Sequence, residues 1–184
     1  MKKRGVLATL FLLLGSLIQA EDLKGYSVEI DPSTYIFNGY SIHLKKDVAN
    51  WQLGIGTYAM DFPDALVNLD GKNKDRGWKV KLNSAIGVFA DYYPNEKKKG
   101  WFSGLQIAQQ NYQLTRNSSD ANYDVLLVMG SIGYRYNVTE HFYLKPWAGI
   151  GYVSKISGTN SIGDTTYDIP NIVPFMTLHA GYAF

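Results

Sequence analysis

The 184-residue sequence contains no cysteine. This excludes a disulfide framework, a thiolate metal site and a lipid-attachment cysteine. The three histidines are scattered and the carboxylates do not cluster at ligand spacing, so no metal is expected and no cofactor is implied. After residue 20 no stretch runs 18 apolar residues without a charge, which excludes a membrane-spanning helix. An excess of one charge is also missing. Without Lys2, Lys3 and Arg4 the 18 basic side chains fall to 15 against 16 acidic ones, so nucleic acid is not an expected partner. Repeats, low-complexity tracts and internal linkers are absent, and one domain is expected.

What the chain does have is aromatic residues and glycine: 14 Tyr, 8 Phe and 4 Trp beside 18 Gly. That composition suits short strands and tight turns, hence an all-β fold. Residues 1–20 read as a signal peptide, with Lys2 to Arg4 as the charged region, Val6 to Leu14 as the apolar region, and a cut after Ala20. Residues 21–184 then form the domain.

Alternation with period two runs through that domain. Trp51, Leu53, Ile55 and Ala59 oppose Gln52, Gly54, Gly56 and Tyr58. Trp78, Val80, Leu82, Ile86, Val88, Ala90 and Tyr92 oppose Lys79, Lys81, Asn83, Gly87 and Asp91. Further segments run from Trp101 to Leu114, Asp124 to Tyr136 and Phe142 to Lys155, and Met176 to Phe184 closes the chain. Helical spacing would place Lys81 and Asp91 among the apolar residues. Connections at 46–50, 94–100 and 138–141 are short, whereas 61–76, 115–123 and 157–171 are long or polar. With a strand at 34–45 and another at Tyr26–Ile30, ended by the Asp31-Pro32 turn signal, the count is eight.

The terminal Phe184, preceded at every second position by Tyr182, Ala180 and Leu178, resembles the C-terminal signature of bacterial outer-membrane β-barrel proteins. The mature chain broadly resembles the small members of that group along its whole length. The resemblance implies an all-β, eight-stranded antiparallel up-and-down transmembrane β-barrel in the outer membrane of a Gram-negative bacterium. Its partners would be the lipid bilayer, lipopolysaccharide and the outer-membrane barrel assembly machinery.

With the apolar faces toward lipid, Glu29, His43, Lys79, Lys81, Asp91, Arg135, Lys145, Lys155 and His179 are expected to face the lumen. Eight strands leave an interior that side chains fill. Both charge signs are present, so a salt-bridged plug is expected, not an ion pathway. Aromatic girdles are expected at both interfaces: Trp101, Phe102, Tyr134, Tyr136, Phe142, Tyr182 and Phe184 at one end, Trp78, Tyr112, Tyr123 and Tyr152 at the other. Ser41 and His43 share one strand face about 7 Å apart by strand rise, near the periplasmic end by loop parity. In residue type they resemble the Ser/His toolkit of lipid A deacylases and palmitoyltransferases, which makes them the catalytic candidates against a lumen-filling role. Phe62, Ala65, Leu66, Val67 and Leu69 would cover the barrel mouth or lie on the outer leaflet. Three functions remain open: a structural or interaction barrel acting through loops 61–76, 115–123 and 157–171, a lipid A-modifying enzyme, or a narrow carrier of small apolar molecules.

Overall fold

The alternating segments are extended, and each pairs with its neighbour in the chain. A computed structural model describes residues 23–68 and 71–184. The expected signal peptide at 1–20 lies outside these residues, as do Leu69 and Asp70 of the longest loop. The strands are β1 (Tyr26–Ile30), β2 (Tyr40–Val48), β3 (Trp51–Asp61), β4 (Lys79–Tyr92), β5 (Gly100–Arg116), β6 (Ser119–Asn137) and β7 (Phe142–Gly158). A two-residue ribbon, β8 (Ser161–Ile162) with β9 (Thr165–Thr166), precedes the last strand, β10 (Ile172–Ala183). All pairings are antiparallel, and β10 returns to β1 to close an eight-stranded barrel. Closure removes the sheet edge that a terminal strand would otherwise present. The Phe184 N–H donates to Tyr26 O at 3.0 Å, and Tyr182 packs on Phe184.

Short turns gather at one end: Ala49-Asn50, 93–99 and 138–141. Membrane barrels keep such turns on the periplasmic side, and this end is taken as the bottom. The expected loop at 115–123 is instead strand, because Asn117 and Ser118, both at positive φ, form a two-residue hairpin turn. The expected strand at 34–45 begins only at Tyr40. Asp31 caps a short helix, α1 (Pro32–Ile36), accepting from Ser33 N at 2.9 Å, and Pro32 suits its first position. Ser41 and His43 consequently lie toward the upper end of β2, opposite to the parity expectation.

The outer face carries Leu53, Ile55, Ile86, Val88, Ile107, Val128, Ile132, Ile150 and Met176, all exposed. Such a band has no reason to face water and every reason to face hydrocarbon. Beneath it runs an aromatic belt with Trp101 against Tyr134 and Trp51 against Tyr92. The upper girdle does not form as expected. Tyr112 and Tyr123 stack on each other inside the barrel, and Trp78 is buried there; Phe102, expected in the lower girdle, is buried in the lumen as well. Tyr152 does face outward.

A β-bulge at Asn83 explains Trp78. Leu82 pairs with Tyr112 but Ser84 with Asn111, so the extra residue reverses the facing of everything before it. Trp78, Val80 and Leu82 turn inward, and Lys79 and Lys81 turn outward. They are therefore not lumen charges. They meet Asp64 at 3.9 Å and Asp61 at 3.6 Å above the apolar band. Lys155 is likewise exposed at the upper rim, bonded to Asn160.

Close approach at the bottom depends on Gly181, where a Cβ would strike the buried ring of Tyr143. Gly181→Val is expected to cost about 1–3 kcal/mol through overpacking. The check is a lower urea midpoint for the compact, heat-modifiable band on a gel.

Candidate functional site

The lower lumen is closed by charge. Glu29 on β1, Lys45 on β2, Asp91 on β4 and Lys145 on β7 all point inward by alternation. Lys45 Nζ lies 2.9 Å from Glu29 Oε2 and 2.7 Å from Asp91 Oδ2. Lys145 Nζ lies 3.3 Å from Glu29 Oε1 and 2.6 Å from Asp91 Oδ2. Two cations and two anions thus form a balanced quartet across the barrel. His179 Nδ1 meets Glu29 Oε2 at 3.2 Å, and Tyr143 OH donates to Glu29 Oε1 at 2.8 Å. Arg135 stays outside this ring, stacked 3.5 Å over Tyr143 and bonded to Asn137. Of the expected lumen charges, Glu29, Asp91, Lys145 and His179 come together, and Arg135 adjoins them through Tyr143. Lys45 was overlooked, although it shares the parity of His43. Tyr93 and Phe102 pack as a further layer, with Lys145 above the Phe102 ring at 4.5 Å.

Histidines form the next layer. Ser41 Oγ lies 2.9 Å from His43 Nε2, so the two candidates do meet. Asp31 N–H also donates to Ser41 Oγ at 3.2 Å. Among the described residues His43 Nδ1 has no hydrogen-bond partner, and it faces Gly56, where a Cβ would overlap it. A nucleophilic serine needs Nε2 to accept its proton while Nδ1–H is held by a third group. The tautomer that leaves no buried N–H unpaired has Nε2–H donating to Ser41, which makes the serine an acceptor. This geometry fits a structural pair better than an activated one.

Above the histidines the barrel is hollow. A cavity of about 510 Å³ is lined by Leu82, Val125, Leu127, Met129, Trp147 and Val153, among other mainly apolar groups. The expected filling by side chains therefore holds only for the lower lumen. Two polar spots interrupt the apolar wall. At one, Gln106 and Gln110 both donate to Tyr58 OH, at 2.8 and 2.9 Å, and Tyr112 OH donates to Gln110. The other is made by Asp31, Thr34, Ser41, His43 and His179. The parity of Val125, Leu127 and Met129 was a signal for this interior, since their neighbours Leu126 and Val128 face out.

Two loops roof the cavity. A second short helix, α2 (Asp64–Val67), turns Leu66 and Val67 to it, so these two and Phe62 cover the mouth, whereas Ala65 is exposed. Asn73 Nδ2 donates to Asp168 O at 2.7 Å, and Asp168 N–H donates back to Asn73 Oδ1 at 2.9 Å. This clasp joins loops 62–78 and 159–171, and Trp78 meets Tyr167 beneath it. On one side the wall is made by α1, because β1 stops at Ile30 while β2 and β10 continue upward.

The barrel is similar to two solved structures. It matches the N-terminal β-barrel domain of Pseudomonas aeruginosa OprF with a TM-score of 0.55 at 13% identity, over 88% of this chain and 98% of that one. It matches Neisserial surface protein A (NspA) with a TM-score of 0.54 at 12% identity, over 87% and 97%. No protein family matches the sequence, and no curated protein does. The likeness establishes the fold, that of the eight-stranded outer-membrane barrels.

Removing one member of the quartet leaves a buried charge without its partner. Glu29 and Lys145 are 0 % and 2 % exposed, so solvent screening gives little relief. Glu29→Gln is expected to cost about 3–5 kcal/mol, measured by urea unfolding in detergent. The double change Glu29→Gln with Lys45→Met restores charge balance with Asp91 and Lys145 and should recover part of that loss.

Proposed function

We propose that this protein is an outer-membrane barrel that binds a small apolar molecule in its upper lumen. The observation that carries this reading is the mainly apolar cavity, partly roofed by loops, above a sealed, charged floor. Its volume lies within the roughly 300–1,000 Å³ common for small-molecule sites. Mainly apolar walls with two polar spots favour a ligand of mostly hydrocarbon character, oriented by a polar group at Tyr58 or beside Ser41 and His43. The floor opposes passage of ions and solutes to the periplasm, so the protein holds its ligand and does not conduct. Export by the signal peptide, recognition of Leu178, Ala180, Tyr182 and Phe184 by the barrel assembly machinery, and contact of the loops with lipopolysaccharide belong to the same reading.

The test is binding of the fluorescent apolar probe N-phenylnaphthylamine to the refolded barrel in detergent. Leu127→Trp and Met129→Trp fill the cavity and are expected to weaken binding by at least about tenfold. Their heat-modifiable migration should stay unchanged. Equal binding by wild type and both variants would reject the cavity as the site.

A second reading, lipid A acyl hydrolysis or transfer, draws on the 2.9 Å contact between Ser41 and His43. It requires that Ser41→Ala abolish a mass change in lipid A extracted from expressing cells. Identical lipid A spectra with and without the gene would remove it.

A further inference from the structure

The barrel wall is a strand short on one side. Above Ile30 the strand position between β2 and β10 is left open, a gap of two strand spacings or about 10 Å by sheet geometry, and α1 lies in it. The hydrogen bonds of this segment are lopsided. Toward β2 and β3, Tyr35 OH donates to Ser41 O at 2.9 Å, and Asp61 N–H donates to Phe37 O at 2.8 Å. Toward β10, one hydrogen bond crosses among the described residues, Thr177 Oγ1 to Asp31 Oδ2 at 2.9 Å. α1 packs on β10 about as closely as on β2 and β3, so in hydrogen bonding, not in packing, the seam between α1 and β10 is the weak line of the wall.

Alternation identifies the peptide groups that face this seam. Ala183 N–H bonds to His141 on the β7 side, and Phe184 N–H to Tyr26 on the β1 side. Even-numbered residues of β10 therefore turn their peptide groups to the seam: Leu178, Met176 and Pro174. Proline has no N–H to leave unpaired, which suits an edge position. Leu178 and Met176 present both N–H and C=O where no strand lies alongside. Their side chains are exposed on the outer band, so these peptide groups stand at hydrocarbon depth, where unpaired ones are costly. Phe175 faces inward by alternation but is 36% exposed; it packs on Trp147 at 5.4 Å and lines the cavity.

We infer that this seam is a lateral port admitting a single-chain amphiphile, such as a fatty acid, from the surrounding leaflet to the cavity. The inference rests on the cavity binding an apolar ligand as proposed above. The head group hydrogen-bonds the peptide groups of Leu178 and Met176 as it passes, and the chain comes to lie on Leu127, Met129 and Trp147. An opening one strand wide selects one chain over two.

The experiment locks the wall. The sequence has no cysteine, so Asp31→Cys with Thr177→Cys forms a side lock, and Asn73→Cys with Asp168→Cys a loop lock. The background carries Trp51→Phe and Trp101→Phe, which leaves Trp78 and Trp147 on the inside. Barrels in phosphatidylcholine vesicles are mixed with stearic acid brominated at mid-chain, a contact quencher of tryptophan. Oxidation of the side lock should slow quenching by about tenfold or more, dithiothreitol should restore it, and the loop lock should leave it unchanged. Phe175→Ala, which widens the seam without a crosslink, should quicken it. An unchanged rate in the oxidised side lock and in Phe175→Ala, or slowing by the loop lock alone, overturns the port while cavity binding stands. No quenching in the unlocked protein overturns both.

Discussion

Four buried charges govern this barrel. Glu29, Lys45, Asp91 and Lys145 occupy a space too narrow for bulk water, and none can be removed without stranding another. The quartet also secures the weakest strand. β1 has five residues, and its pairing with β10 runs from Ser27 to Ile30. Glu29 at its centre is tied to β2 and β7 by ion pairs, to β7 again through Tyr143, and to β10 through His179. A strand of that length holds little by its ladder alone. Held by a carboxylate across the lumen, it can stop at Ile30 and still close the ring.

The consequence is an asymmetry along the barrel axis. Below the quartet the lumen is packed with Tyr93, Phe102 and Tyr143 and closed. Above it one carboxylate, Asp31, is left among the cavity lining, and the inward positions of β4, β6 and β7 become Val80, Leu82, Val125, Leu127, Met129 and Val153. Over these apolar stretches water is poorly retained, since each water needs two to four hydrogen bonds. The upper lumen is therefore a poor place for solvent and a good one for hydrocarbon.

Much of this could be read before any coordinates. Period two marks six of the eight barrel strands, the loop count places a seventh at 34–45, and the alternation of Tyr26-Ser-Val28-Glu-Ile30 marks the first. The lumen charges Glu29, Asp91, Lys145 and His179 followed from parity, and Lys45 was available by the same logic. Lys79 and Lys81 were not legible, because one inserted residue at Asn83 reverses the face of all that precedes it, and a bulge has no compositional signature here. The upper aromatics show a different failure. Tyr112 and Tyr123 have inward parity, yet an expectation of interfacial belts drew them to the surface. α1 escaped because Tyr35, Phe37 and Tyr40 resemble strand composition, although Asp31-Pro32 is a helix start as much as a turn.

The missing stretch of strand and the hollow are best understood together. A barrel that needed only to be a wall would extend β1 to the height of Ile172, pairing Leu178 and Met176 and burying their peptide groups. Instead the chain spends residues 31–39 on a helical turn that hydrogen-bonds mainly to β2 and β3 and meets β10 chiefly by packing. Pro174 lies in the row of residues whose peptide groups face that seam, where an N–H would have had no strand to meet. In hydrocarbon such a gap is unfavourable unless something polar-headed visits it, and an apolar cavity forfeits contacts unless something fills it. One ligand with a polar head and a single hydrocarbon chain meets both conditions, and neither a water-soluble solute nor a two-chain lipid does.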